Sequence, residues 1–269
     1  MNRGILIYAH NNETIDYVFM ATISAKLAKK NLGYSVSLAT DAESVLTLKD
    51  QSVFENVIIL EKPHNKTKRK SNNSIVSFLN YNRSTAWDIT PYNQTLLIDA
   101  DYFVFTDKLN EFWSVDQSFL ISNSTNFFIE NKSGYLDRYI SFQGIPMKWA
   151  TTILFTKNAE SKLYFDLVEY IKKEYYYFSL LYKFNPRMFR NDIAFSIADH
   201  ILNGHLNTDR YSLPTINALL PENKIINLNL NNGCKFLVSD SSESYIVDIT
   251  DSDIHFMNKE NLLDNINLT

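Results

Sequence analysis

An α/β fold built around a parallel sheet follows from three features of the sequence. Short apolar runs alternate with stretches of helical periodicity through the first half of the chain. One of those runs, Thr95–Ile98, leads directly into two carboxylates, Asp99 and Asp101. The chain has 269 residues, 45% hydrophobic and 14% aromatic, enough length and apolar material for one open α/β sheet with its covering helices.

Gly4–Ala9 (GILIYA) is an apolar run of the kind found in strands buried on both faces. From Asp16 to Lys30, the residues Tyr17, Met20, Ile23, Ser24 and Leu27 recur at helical spacing. Lys29 and Lys30 suit the negative end of the helix dipole, and Gly33 stands where a left-handed residue would stop the helix. Ser35–Ala39 and Val57–Leu60 read as the next two strands. A strand–helix–strand–helix–strand opening of this kind puts its ligand site at the carboxyl ends of the strands. The polar, basic stretch from Lys62 to Asn73 predicts a mobile loop.

Arg83–Ile89 predicts a helix ending at Thr90-Pro91, because the residue before proline resists helical geometry. Thr95–Ile98 is a buried strand, and Tyr102–Thr106 continues as apolar chain. Downstream, Phe119–Ser122 and Thr152–Thr156 read as strands. One long aromatic-rich helix is expected over Glu160–Tyr177 and another over Asn191–Leu202, with apolar runs at Tyr245–Ile249 and Ile254–Phe256. No internal repeat or low-complexity linker divides the chain, so one domain over residues 1–269 is the simplest expectation.

A net charge of −4 argues against a polyanion binder that works by overall charge. The single cysteine, Cys234, excludes an intrachain disulfide and suits a reducing compartment. With no base beside it in sequence, that thiol reads as a small buried hydrophobe. The first apolar run is too short for a signal peptide and no later one would cross a bilayer, so a cytoplasmic location is expected.

Thr95–Asp107 (TLLIDADYFVFTD) is the most informative stretch. In extended chain, residues i and i+2 point to one side, so Asp99 and Asp101 leave the strand end together. Two readings are open. The pair is either an acidic turn of the kind that often follows a strand, or it holds a hard divalent cation that offsets the repulsion and carries phosphate.

The surrounding residues bear on this choice. The segment Asn82-Arg83-Ser84-Thr85-Ala86-Trp87-Asp88-Ile89-Thr90-Pro91-Tyr92 followed by LLIDADYFVF resembles the donor-site region of GT-A-fold glycosyltransferases of the glycogenin and galactinol synthase type. There, a basic residue and a tryptophan, here Arg83 and Trp87, precede a strand ending in Asp-x-Asp. Leu6–Asn12 with Tyr17 resembles the family's first strand and nucleotide loop, and Ile254–Lys259 (IHFMNK) its C-terminal His-Phe motif. The resemblance spans most of the chain, in the expected order.

It implies a GT-A-like single domain with a Rossmann-like mixed sheet flanked by helices. The nucleotide-binding half would be about 1–107 and the acceptor-side half about 108–269. It further implies a glycosyltransferase that retains anomeric configuration, with a uridine-diphosphate sugar as donor. Asp99, Asp101 and His255 would bind the metal, and the imidazole favours Mn²⁺ over Mg²⁺. Read alone, a histidine in the position of His255 is more often a packed or surface residue than a ligand.

Arg83 and Lys259 would assist at the phosphates, surface solvation being the alternative for both. Lys259 follows His255 more closely than in the family. Tyr8 and Tyr17 would flank the nucleobase and Asn11 its polar edge; Tyr17 also fits a core position on an amphipathic helix. Asp192, at a helix start, would orient the sugar or face charge at the anomeric carbon, or it is simply a helix-start acid.

Two departures stand out. Trp149-Ala150-Thr151-Thr152 replaces the family's Asn-Ser-Gly, and Ile193 replaces a glutamine, so polar contacts to the sugar are lost. The composition also resembles that of tailed-bacteriophage glycosyltransferase-like proteins. For such a protein, which would work in the host cytoplasm, a hydroxylated DNA base would be an acceptor, met through Lys66, Lys68, Arg69 and Lys70.

Two other readings stand beside this one. A sugar nucleotidyltransferase would also present acids to a metal-phosphate, but it usually brings an early glycine-rich loop, and this chain has six glycines in all. A nucleotide-sugar-binding module without turnover would keep the same ligands.

Overall fold

The structure, a computed structural model, describes residues 2–61, 68–71, 74–77, 82–128, 138–207, 211–239 and 243–266, the backbone alone for 68–71 and 74–77. The N-terminal apolar run is strand β1 (Arg3–Tyr8), followed by helix α1 (Tyr17–Leu32), β2 (Ser35–Asp41) and β3 (Asn56–Leu60). Helix α1 starts where Asp16 accepts from the Phe19 N–H and Asn11 Oδ1 from the Val18 N–H, satisfying amides with no helical partner. It stops at Gly33, whose φ of 77° is left-handed.

The crossover from β2 to β3 carries two short 3₁₀ turns, Ser44–Thr47 and Gln51–Val53, where a helix was expected. Asp41 accepts from the Glu43 and Ser44 amides, and Asp50 accepts from the Ser52 hydroxyl. Such local bonds favour tight turns over a continuous helix.

Within the stretch expected as a loop, Lys68–Ser71 is a strand, β4, paired antiparallel with β5 (Ser74–Ser77). The β-branched pair Ile75-Val76 favours the extended ladder. Residues 62–67 and 72–73, Lys66 among them, lie outside the described residues.

A 3₁₀ turn over Arg83–Thr85 leads into α2 (Ala86–Ile89), which ends at an extended Thr90, as the proline after it requires. Then come β6 (Gln94–Asp99), β7 (Tyr102–Phe103), β8 (Phe119–Ser122), β9 (Thr125–Asn126) and β10 (Trp149–Thr156). The expected long helix is two helices, α3 (Ala159–Lys173) and α4 (Tyr175–Tyr182), parted at Glu174. The break re-aims the chain so that Tyr175 packs on Phe184 and Phe189, ring centroids 5.0 Å away in each case. Helix α5 (Asn191–Leu202) has the expected bounds. The tail supplies β11 (Ile216–Leu219), β12 (Lys224–Asn229), β13 (Gly233–Ser239), β14 (Ser244–Thr250), β15 (Ile254–Phe256) and α6 (Lys259–Ile266).

The central sheet has the order β3-β2-β1-β6-β10-β8. Its first four strands are parallel, and β10 runs antiparallel to both of its neighbours, so the α/β sheet is mixed. A second sheet, β7-β15-β11-β9, folds the tail back against the chain that follows Asp99, with His255 opposite Tyr102. Strands β12, β13 and β14 form an antiparallel meander.

Helix α1 serves two cores. Val18, Ala21, Ala25 and Ala28 pack under the central sheet, while Met20 and Leu27 join Phe103, Phe236 and Phe256 in the second cluster. Burying both sides of one helix against two sheets holds the tail sheet in register with the first.

Close packing leaves no room at Gly4 in β1. A Cβ there would sit 2.3 Å from Cζ of the buried Tyr92 ring, whose hydroxyl is held by Ser37 at 2.7 Å and Glu55 at 3.0 Å. Gly4→Ala is expected to destabilise the protein by about 1–3 kcal/mol in urea unfolding. An unchanged midpoint would mean that the ring is free to move aside.

Candidate functional site

In a parallel sheet the carboxyl ends of the strands share one edge, and here β1, β2 and β6 end there in Tyr8, Asp41 and Asp99. Tyr8 stands in register with Asp99. The chain turns after Asp99 at the buried Ala100, and Asp101 follows just before β7. Strand β15 pairs with β7, and the Phe256 amide donates to the Asp101 carbonyl at 2.9 Å. That pairing delivers His255 to the two acids.

The His255 Nε2 lies 3.4 Å from Asp101 Oδ1 and 3.9 Å from Asp99 Oδ2. One ligand atom from each of the three residues falls within 4.8 Å of the others. The other ring nitrogen, Nδ1, is 3.5 Å from the Thr151 hydroxyl on β10.

Two cations enclose this trio. Arg83, only 1% exposed, pairs with Asp99 and donates through Nη2 to the Thr151 carbonyl at 3.3 Å. Its buried Nε has no hydrogen-bond partner among the described residues. The Lys259 ammonium, from the first turn of α6, sits 2.6 Å from Asp101 Oδ2. Arg83 is buried and Lys259 half-buried.

The two carboxylates feel different environments. Burial raises the Asp99 carboxyl above its ordinary value; Arg83 opposes that and Asp101 adds to it. Burial would raise Asp101 as well, but Lys259 and His255 outweigh it and hold that carboxyl well below the usual range.

Tyr8 is buried and bonds Thr85 through its hydroxyl at 3.0 Å, and burial pushes that hydroxyl well above its ordinary range. Asn11 spends its amide group inside the protein, accepting from Val18 and donating to Thr47 at 2.9 Å. Tyr17 is half-buried at the start of α1, packed against both cores. Asp192 accepts from the Ala150 amide at 2.9 Å and pairs with Arg190 at 3.0 Å. It thereby ties α5 to β10 one residue before Thr151.

Trp87 points away from the acids. Its indole donates to Ser161 at the start of α3, and Lys157 and Lys162 lie over its ring. Lys68, Arg69 and Lys70 lie on β4, with only their backbone described.

The sequence reading missed three contributors: Thr151, Thr85, and the group made by His10, Asp41 and Ser44. His10 Nδ1 is 2.9 Å from Asp41 Oδ2, the Ser44 hydroxyl donates to the same oxygen at 2.6 Å, and Ser44 also accepts the Asn11 amide. This buried lock fixes the loop after β1. The one available signal was an acid at the end of the second strand, placed as Asp99 is at the end of β6.

Two carboxylate oxygens and one imidazole nitrogen are a donor set that suits a borderline divalent cation such as Mn²⁺. The residues present therefore fit a metal, with Arg83 and Lys259 as built-in counter-ions.

No protein-family model and no curated protein matches the chain by sequence. Several solved structures are similar to it. The galactosyltransferase LgtC, in complex with donor and acceptor sugar analogues, is 16% identical over 72% of this chain and 69% of its own, with a TM-score of 0.44. The apo-form glycosyltransferase GlyE of Streptococcus pneumoniae is 14% identical over 79% of this chain and 44% of its own, with a TM-score of 0.41, so the chain matches less than half of that protein. Mouse xyloside xylosyltransferase 1 is 11% identical over 79% of this chain and 85% of its own, with a TM-score of 0.49.

The Asp41 lock makes a pH prediction. Burial pushes its carboxyl up, but the bonds from Ser44 and the contact with His10 prevail and bring it from 3.8 down to about 2. A group depressed on folding stabilises above its unfolded value, and that contribution is lost as pH falls through the folded one. Stability to urea should therefore fall between about pH 4 and pH 2, and Asp41→Asn should flatten that decline while lowering stability at neutral pH. Parallel curves for the two proteins would show that Asp41 is not held this way.

Proposed function

We propose that the chain is a metal-dependent glycosyltransferase with a GT-A-like single domain over residues 1–269, taking a sugar from a nucleotide-diphosphate donor. What supports this above all is the convergence of Asp99, Asp101 and His255 from distant parts of the chain, within 4.8 Å and between two cations. A cluster of acids on a surface turn would not recruit a buried arginine and a folded-back tail strand.

In this reading Asp99, Asp101 and His255 hold Mn²⁺, or Mg²⁺ in its place. The bound ion supplies charge neutralisation at the departing diphosphate. The protein's own groups do the rest. Lys259 exchanges Asp101 for a phosphate oxygen when the donor arrives, and Arg83 aims Asp99 and partly offsets the cost of its burial. Tyr8, Asn11 and Tyr17 shape the nucleobase side, for which uridine is the proposed base.

Asp192, held by Ala150 and Arg190, presents a fixed negative charge toward developing positive charge at the anomeric carbon. Retention of configuration belongs to the same proposal. So does a hydroxylated acceptor, with a DNA base met by the Lys66–Lys70 stretch as one form of it.

The test is incubation with Mn²⁺ and a panel of nucleotide sugars, following release of nucleoside diphosphate. Slow hydrolysis of a uridine-linked sugar, abolished by chelator and reduced at least about 100-fold in Asp101→Asn, is expected. Pyrophosphate exchange in place of hydrolysis would favour a nucleotidyltransferase, and binding without turnover an inactive module. Separately, Lys259→Met should weaken uridine diphosphate roughly 10- to 100-fold in calorimetry while leaving Mn²⁺ bound. Unchanged affinity would remove Lys259 from the phosphates.

A further inference from the structure

Helix α4 buries one face and leaves the other open. Tyr175, Phe178 and Tyr182 are buried, while Tyr176, Tyr177, Leu180 and Leu181 are 68%, 57%, 53% and 47% exposed. At spacings i, i+1, i+4 and i+5, these four side chains share one side of the helix. Tyr170, near the end of α3 and 53% exposed, extends the strip, its ring lying edge-on to Phe178 at 5.8 Å. The sequence of α4, YYYFSLLY, contains no charged residue. Contiguous exposed apolar surface of this kind marks a contact site rather than scatter.

One flank of the strip is basic. Lys183 and Arg187 after it are exposed, with no acid among residues 175–190, whereas Lys173 before it lies 3.9 Å from Glu169 and next to the exposed Glu174, in a chain whose net charge is −4. Charge complementarity selects the occupant. A second copy would meet this face through a two-fold axis, so each patch would face itself and the basic flanks would be brought together. An anionic bilayer surface complements the basic flank, and its headgroup region accepts tyrosines with their hydroxyls toward water.

We propose that α4 seats the protein on anionic lipid membranes. Leu180 and Leu181 enter the boundary between headgroups and acyl chains, Tyr176 and Tyr177 lie at headgroup level, and Lys183 and Arg187 meet lipid phosphates. Contact is peripheral: no helix among the described residues is long and apolar enough to cross a membrane. A single exposed helix of eight residues gives weak, salt-sensitive attachment. This inference does not depend on the proposed transferase activity.

The experiment is co-flotation of the full chain with phosphatidylcholine vesicles, with and without phosphatidylglycerol, at low and high salt. Flotation with the anionic vesicles alone is expected, falling as salt rises. Affinity for the vesicles should fall at least about 30-fold in the double variant Lys183→Glu/Arg187→Glu, and flotation should also be lost in Leu180→Ser/Leu181→Ser. The charge variant, altered only at exposed positions, guards against a folding defect in the other, and circular dichroism of both checks it.

Equal flotation of wild type and charge variant, or no flotation at low salt, would overturn the proposal. So would a wild-type dimer in analytical ultracentrifugation that the leucine variant converts to monomer, since the strip would then be a self-association face.

Discussion

The pairing of β15 with β7 is the constraint on which the site depends. A bond from the Phe256 amide to the Asp101 carbonyl sets the register, and His255 then faces Tyr102 beside the two acids. Lys259 follows at the start of α6 and reaches Asp101 from the same direction. Phe103 and Phe256, with ring centroids 5.2 Å apart, bury the junction, and α1 packs over it with Met20 and Leu27. Were the pairing to slip by one residue, His255 would swing to the opposite face, because side chains alternate along a strand.

The electrostatics explain why so many groups gather there. Two carboxylates in low-dielectric surroundings repel each other and lose hydration, a cost that only opposing charge can offset. Arg83 and Lys259 provide it in the protein alone, one on each acid. The division is uneven: Asp101, held by Lys259 and His255, is a firm anion, whereas the burial of Asp99 still outweighs its arginine. On the proposed function, this balance is what a divalent cation and a diphosphate would draw on.

Rigidity comes from behind. Ser84 bonds Glu169 at 2.5 Å, Glu169 pairs with the buried Lys172, and the indole of Trp87 bonds Ser161, so the segment that carries Arg83 is fastened to α3 at two points. Strand β10 is fastened to α5 by Asp192 at Ala150 and by the buried Lys148–Asp199 pair at 3.3 Å. Thr151, which receives Arg83 and lies beside His255, is thus placed between the segment fastened to α3 and the start of β10 fastened to α5. The site is carried on strands and their ends, where small displacements are resisted by packing.

Much of this was legible in the amino-acid order. Alternating apolar runs and helical periodicity marked β1, α1, β2, β3, β6 and α5 because their signals are local: side-chain burial, a capping Asp16, a stopping Gly33. The adjacency of Asp99 and Asp101 at a strand end was likewise written in the sequence, and so was a resemblance joining Arg83, the acid pair and His255.

The three-dimensional arrangement alone decided the rest. That β10 enters the sheet antiparallel, that Lys259 and Arg83 pair with the acids, and that His10 meets Asp41 to lock the first loop all follow from contacts between residues far apart in the chain. Such contacts leave no periodic trace in the sequence, since a buried ion pair and a solvated one use the same residue types.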